Sequence, residues 1–266
     1  LLGGIGDDTL EGGGSFDFIM GGDGYDLASY SLSKAAVKVD LAHPWSATGG
    51  DAAGDLLQEL LAQLLSNRDV GSTFSSTAFL AQLMSANVML DSHDETSVFA
   101  LSDWLYSIEG LTGSAFDDTL TGDAGNNRLD GGIGSDVLTG GDGSDTYTVD
   151  NIGDVVTETN AVDSSGGSDT VLSYLAAYTL GSNVENGRIL LTTAANLTGN
   201  TLNNVLYAGA GNNVLNGGSG TDTVSYAYGL AGTTGVTVSL VASTAQATGG
   251  SGSDTLLSIE NLIGSA

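Results

Sequence analysis

Single apolar residues recur every nine positions along three stretches of the chain. They are Leu10, Ile19 and Ala28, then Leu120, Leu129, Leu138 and Tyr147, then Leu206, Leu215 and Val224. Each sits in the last three residues of a nine-residue unit, Gly-Gly-x-Gly-x-Asp-x-apolar-x. Units start at 3, 12 and 21, at 113, 122, 131 and 140, at 199, 208 and 217, and once more at 249. Each unit divides into a six-residue turn and a three-residue strand with one inward residue. A fixed period of this kind predicts a solenoid of stacked short strands with a thin core.

Between these stretches the pattern changes. The segments VKVDL (37–41) and VTVSL (236–240) alternate as strands do, and residues 103–115 align without gaps to 254–266 through a shared Ser-Ile-Glu. Tyr147–Asp150, Ser168–Val171 and Tyr178–Leu180 read as short strands of a spacer. Residues 51–102 lose the glycine period. Leucines at 56, 57, 60, 61, 64 and 65 follow Asp55 as N-cap, and Phe79, Leu80, Leu83, Met84 and Val88 form a second stripe. This predicts a helical hairpin, read as a packing or capping element ahead of a docking surface. The expected fold is mostly β, a β-solenoid in three blocks with a small helical insertion. The expected divisions are 1–50 (first block and β excursion), 51–102 (insertion), 103–148 (second block), 149–198 (spacer) and 199–266 (third block and the start of a next module). On this reading the chain is three short rolls rather than one continuous roll. Both ends fall inside repeat units, so a longer array is expected.

The turn residues carry the chemistry. Glycines at the first, second and fourth places permit backbone conformations closed to other residues and expose carbonyl oxygens. The complete turns within the three blocks use Gly3, Gly4 and Gly6; Gly21, Gly22 and Gly24; Gly131, Gly132 and Gly134; Gly140, Gly141 and Gly143; and Gly217, Gly218 and Gly220, and the lone unit at 249 is complete too. The sixth place is always Asp or Asn: Asp8, Asp17, Asp26, Asp118, Asn127, Asp136, Asp145, Asn204, Asn213, Asp222 and Asp254. Oxygen ligands of this kind suit calcium. With no Cys, and only His43 and His93 as imidazoles, zinc and copper are poor candidates. Weaker or absent calcium is expected where Asn replaces Asp at 127, 204 and 213, and where Ser15 and Phe116 replace the fourth glycine.

These units resemble the RTX (repeats-in-toxin) calcium-binding family of proteins secreted by Gram-negative bacteria. The resemblance implies a parallel β-roll in which two units complete one coil. Turns eighteen residues apart would then share calcium: Asp8 with Asp26, Asp118 with Asp136, Asn127 with Asp145, and Asn204 with Asp222. It also implies type I secretion and folding outside the cell or at its surface.

A formal charge of −27 argues against nucleic acid or anionic lipid as partner. The absence of Cys fits an exported chain held by metal rather than disulfides, and no apolar run approaches the eighteen residues of a membrane span. His93, within Asp91–Glu95, lacks a second nearby imidazole and reads as part of a solvated loop, and His43, preceding Pro44 in a turn, reads as structural. Gly218-Ser219-Gly220 and Gly250-Ser251-Gly252 belong to calcium turns rather than to a nucleophile elbow. The expected function is a non-enzymatic calcium-binding roll of adhesin or surface-layer type. An accessory region of a secreted enzyme and a self-assembling filament stand as alternatives, and the expected partners are calcium, neighbouring copies and cell-surface components.

Overall fold

The structure, a computed structural model, describes residues 1–13, 17–43, 104–159, 167–228, 235–242 and 244–265. The predicted helical insertion at 51–102, with His93, and the turn residues Ser15 and Phe16 lie outside the described residues. Those described form strands joined by turns, and no helix among them is long and apolar enough to cross a membrane.

The three-residue strands of the repeat stack in register as parallel ladders. One face of the roll is a single ten-stranded sheet. In stacking order it comprises Thr9–Glu11, Leu27–Ser29, Gly110–Thr112, Arg128–Asp130, Thr146–Val149, Thr170–Ser173, Asn186–Ile189, Val205–Tyr207, Thr223–Ser225 and Asn261–Ile263. The register aligns one inward column along it: Leu10, Ala28, Leu111, Leu129, Tyr147, Val171, Gly187, Leu206, Val224 and Leu262. Most of these side chains are fully buried. Gly187 fits this column because Leu180 and Leu197 already fill the space of its missing side chain, each within about 3 Å of a β-carbon there.

The opposite face is broken into separate sheets. Leu2–Ile5, Phe18–Asp23 and Trp104–Tyr106 make the first; Lys38–Asp40, Thr119–Thr121, Val137–Thr139 and Val155–Thr157 make the second. Ala177–Thr179, Ala195–Thr198, Asn213–Asn216 and Gly252–Leu257 make the third, which ends on the antiparallel strand Gln246–Gly249. Their inward columns, Val39–Leu120–Leu138–Val156 and Tyr178–Leu197–Leu215–Leu256, contribute the other half of the core.

The expectation of three separate rolls therefore needs correction, because one face runs unbroken through all the blocks and the spacer. The reason lies in how little each coil needs to continue. Gly110–Thr112 pairs directly with Leu27–Ser29, although most of the first excursion and the whole insertion separate them in sequence. That long segment leaves after Lys38–Asp40 and returns at Trp104–Tyr106, two strands of the broken face that pair with different neighbours. Excursions exit on one face and three residues suffice to resume the ladder on the other.

Candidate metal centre

Turns stacked along each edge of the roll are joined by a recurrent bond. The sixth-position backbone N–H of one coil donates to the Asp Oδ1 of the next. Asp8 donates to Asp26 at 2.9 Å, Asp118 to Asp136 at 2.8 Å, Asn127 to Asp145 at 2.7 Å and Asn204 to Asp222 at 2.8 Å. These are the four pairs eighteen residues apart that the period places together. Irregular coils use the same bond: Asn213 donates to Asp254, Asp136 to Asp154 and Asp145 to Asp169.

The second oxygen of these carboxylates is the informative atom. Oδ2 of Asp8, Asp26, Asp136, Asp145, Asp169 and Asp222 is buried and has no hydrogen-bond partner. Buried polar atoms are almost always paired, so a recurring orphan at one repeat position marks a missing ligand. Each repeat-turn Oδ2 lies over the first glycine of its own turn. A β-carbon would stand 2.7 Å from Asp8 Oδ2 at Gly3 and 2.8 Å from Asp17 Oδ2 at Gly12, and it would meet Asp26, Asp136, Asp145 and Asp222 at Gly21, Gly131, Gly140 and Gly217. The second and fourth glycines face the previous coil instead. A β-carbon at Gly22 would strike Gly4 O, and one at Gly141 would lie 2.6 Å from Asp123 O. A turn stacked on a preceding coil is thus a cradle of carbonyls and one carboxylate that leaves no room for a β-carbon, whereas Gly4 and Gly6 of the first turn have open space there and positive φ instead.

Electrostatics agree with a cation there. Burial is the largest influence on Asp136 and pushes its carboxyl up to about 6, with Asp154 and Asp118 adding to the rise. Burial likewise raises Asp145 to about 6, against the lowering bond from Asn127 and with repulsion from Asp123 and Asp142. Asp222 is raised for the same first reason. The chain has 5 basic against 32 acidic residues, far too few to neutralise them.

Most other sixth-position residues bond to protein groups instead. Asn127 Oδ1 accepts from Asp123 N at 2.8 Å while its Nδ2 donates to Glu109 O at 3.2 Å. Asn204 repeats this with Asn200 N and with Val184 O and Glu185 O. Asn213 Nδ2 reaches Ala195 O at 3.4 Å and leaves its own Oδ1 buried without a partner. Asp118, in the turn with Phe116 at the fourth place, spends both oxygens on Ser114 and Val37 N. Asp254 accepts from Asn213 N and, at 3.2 Å, from Thr248 Oγ1. Asp17 lies against Gly12 in a turn whose next residues are outside the described set.

Sequence reasoning missed three glutamates that close runs of turns. Glu109, Glu185 and Glu260 each accept, through Oε2 at 2.8 Å, the N–H of Asp26, Asp169 and Asp222. Each stands two residues after Ser107, Asn183 or Ser258, the only non-glycine residues with positive φ among those described. These short turns, φ-positive residue, apolar residue, glutamate, replace the six-residue glycine turn. After two of them the next coil opens with Asn rather than Asp, at 127 and 204. An amide can donate to the carbonyls of a short turn where a carboxylate cannot.

A family profile for the RTX calcium-binding nonapeptide repeat matches residues 1–28, 112–147 and 196–226, in four copies. The chain carries RTX calcium-binding repeats. Calcium is the cation of these turns, and the orphaned Oδ2 atoms with the surrounding carbonyls are the groups that fit it. The matched segments contain every sixth-position residue named above except Asp254, Asp154 and Asp169. No curated protein matches the chain.

Proposed function

We propose that this calcium-binding β-roll segment of a secreted protein acts as a calcium-triggered folding element of adhesin or surface-layer type, with no catalytic residues of its own. The observation that carries the proposal is the set of buried Oδ2 atoms without partners at Asp8, Asp26, Asp136, Asp145 and Asp222. Stacking the coils brings carboxylates together out of water, which is unfavourable until a cation neutralises them. Calcium bound only by the stacked form then draws the equilibrium towards folding. A site with a dissociation constant of ~10⁻⁴ M contributes about 2.7 kcal/mol at a hundredfold excess of calcium, and almost nothing far below that constant. Such a chain stays extended where calcium is scarce, which suits export through a type I system, and folds once outside. The modular repeat of 103–115 at 254–266 supports a spacing or display role, since it extends the stack without adding a new kind of site.

The hydrodynamic test uses calcium against magnesium. In chelator the radius of gyration is expected near the unfolded-chain value of about 57 Å for this length. It should contract towards about half that in millimolar calcium and stay expanded in equal magnesium, whose small octahedral shell fits these turns poorly. Compaction in chelator, or equal compaction by magnesium, contradicts the proposal.

A further inference from the structure

The spacer brings two carboxylates that the nine-residue period does not reach against the last regular turn of the second block. We propose that Glu158 and Asp169 join Asp145 in a further calcium site that fastens the 24-residue coil of the spacer to the roll. Asp145 ends a regular turn, Glu158 follows the strand Val155–Thr157, and Asp169 precedes the strand Thr170–Ser173. One carboxylate oxygen from each lies within 4.8 Å of the others. Oxygens in one calcium shell, each 2.3–2.6 Å from the ion, are separated by at most about 5 Å.

All three side chains are buried, with 1 %, 7 % and 0 % of their surface exposed. Asp145 Oδ2, Glu158 Oε2 and Asp169 Oδ2 have no hydrogen-bond partner. The remaining oxygens are committed in ways that hold the cluster open. Asp169 Oδ1 accepts from Asp145 N at 2.8 Å, and Asp145 Oδ1 accepts from Asn127 N at 2.7 Å. The Tyr147 hydroxyl donates to Glu158 Oε1, and Asn183 Nδ2 holds the Glu158 backbone carbonyl at 3.0 Å. Gly140 completes the cradle, since a β-carbon there would meet Tyr147 Oη, Asp145 Oδ2 and Glu158 Oε1.

Burial, followed by repulsion from Asp169, Asp145 and Glu185, pushes Glu158 up to about 9 in the absence of a cation. Asp169 rises to about 7, again mainly through burial. Either a cation or protons must neutralise the cluster. An all-oxygen set from an irregular coil favours calcium over smaller or softer ions. The location gives the ion a purpose: Asp145 and Asp169 are 24 residues apart where regular turns are 18 apart, and an ion between them ties the two ends of this longer coil together.

The proposal rests on the calcium reading of the repeat turns, and its test separates the two. Bound calcium is counted by equilibrium dialysis on the full chain, with circular dichroism confirming the fold at saturating calcium. Glu158→Gln is expected to lower the count by one and leave the midpoint of the remaining sites within about twofold. Tyr147→Phe keeps the buried ring and removes the bond that orients Glu158. It should weaken one site by about tenfold, and it decides the matter if Glu158→Gln does not fold. An unchanged count in Glu158→Gln, or unchanged affinities in Tyr147→Phe, means that protons fill this place and overturns the site. A parent chain that binds no calcium overturns the reading of the repeat turns instead.

Discussion

Gly143→Ala is expected to destabilise the calcium-saturated roll by about 2–5 kcal/mol, combining backbone strain and overpacking. Gly125→Ala, at the same repeat position one coil earlier, is expected to change it by less than about 1 kcal/mol. Gly143 has φ +106°, a conformation that disfavours any β-carbon, and that carbon would press on the Gly125 carbonyl carbon at 2.7 Å as well as on its oxygen. The obstacle is backbone, fixed by the stacking of the coils, so a rotamer change cannot relieve it. Gly125 has no positive φ, and the nearest atom to its β-carbon is Asp123 Oδ1 at 3.1 Å. The coil before it enters through the short turn Ser107–Glu109 and presents no carbonyl there. Denaturant unfolding at saturating calcium separates the two variants. Equal losses would mean that the fourth glycine serves the turn alone and not the stacking.

Acid is expected to oppose calcium and, without calcium, to replace it in part. Asp136 and Asp145 titrate near 6 and Asp169 near 7 in the folded, cation-free chain, each raised chiefly by burial. Their unfolded values lie near 4. Folding therefore takes up protons between about pH 4 and pH 7, and the cation-free fold loses stability as pH rises through that window. Calcium binding must expel the same protons. Below about pH 6 its apparent affinity should fall about tenfold per pH unit for each proton displaced per ion, and it should level off above about pH 7 at the repeat turns. Calcium titrations at pH 5, 6, 7 and 8, followed by strand content, measure the slope. A midpoint independent of pH over this range would show that these carboxylates do not bind the ion.

Much of the repeat centre was legible because the nine-residue units resemble RTX repeats, in which two units close one coil. The resemblance to RTX repeats, which implies two units per coil, pairs Asp8 with Asp26, Asp118 with Asp136, Asn127 with Asp145 and Asn204 with Asp222, and the turns meet in that way. The inward residues of the second block, alternating between a Leu120–Leu138 column on one face and a Leu129–Tyr147 column on the other, follow from the same two-unit coil. What was not legible depends on partners set by stacking rather than by spacing. Glu109 caps Asp26 from 83 residues away and Glu260 caps Asp222 from 38, distances that no period announces. The repeated Ser-Ile-Glu was visible as a module, but its role needs the positive φ at Ser107 and Ser258, and Asn183-Val184-Glu185 shares that role with a different spelling. The Asn substitutions looked like weakened ligands. Their amides instead donate to the short turns beneath them at 127 and 204. The unbroken ten-stranded face was hidden because the length of an excursion says nothing about where the chain rejoins the ladder.

The central claim is that calcium between the stacked turns decides whether this chain folds. Far-ultraviolet circular dichroism of the full chain at pH 7.5, first in excess chelator and then through a calcium titration to about a hundred times the expected dissociation constant, tests it most directly. The account predicts a largely unstructured spectrum in chelator and a cooperative gain of β-structure in calcium, reversed when chelator is restored. A β-rich spectrum in chelator that calcium leaves unchanged would contradict it.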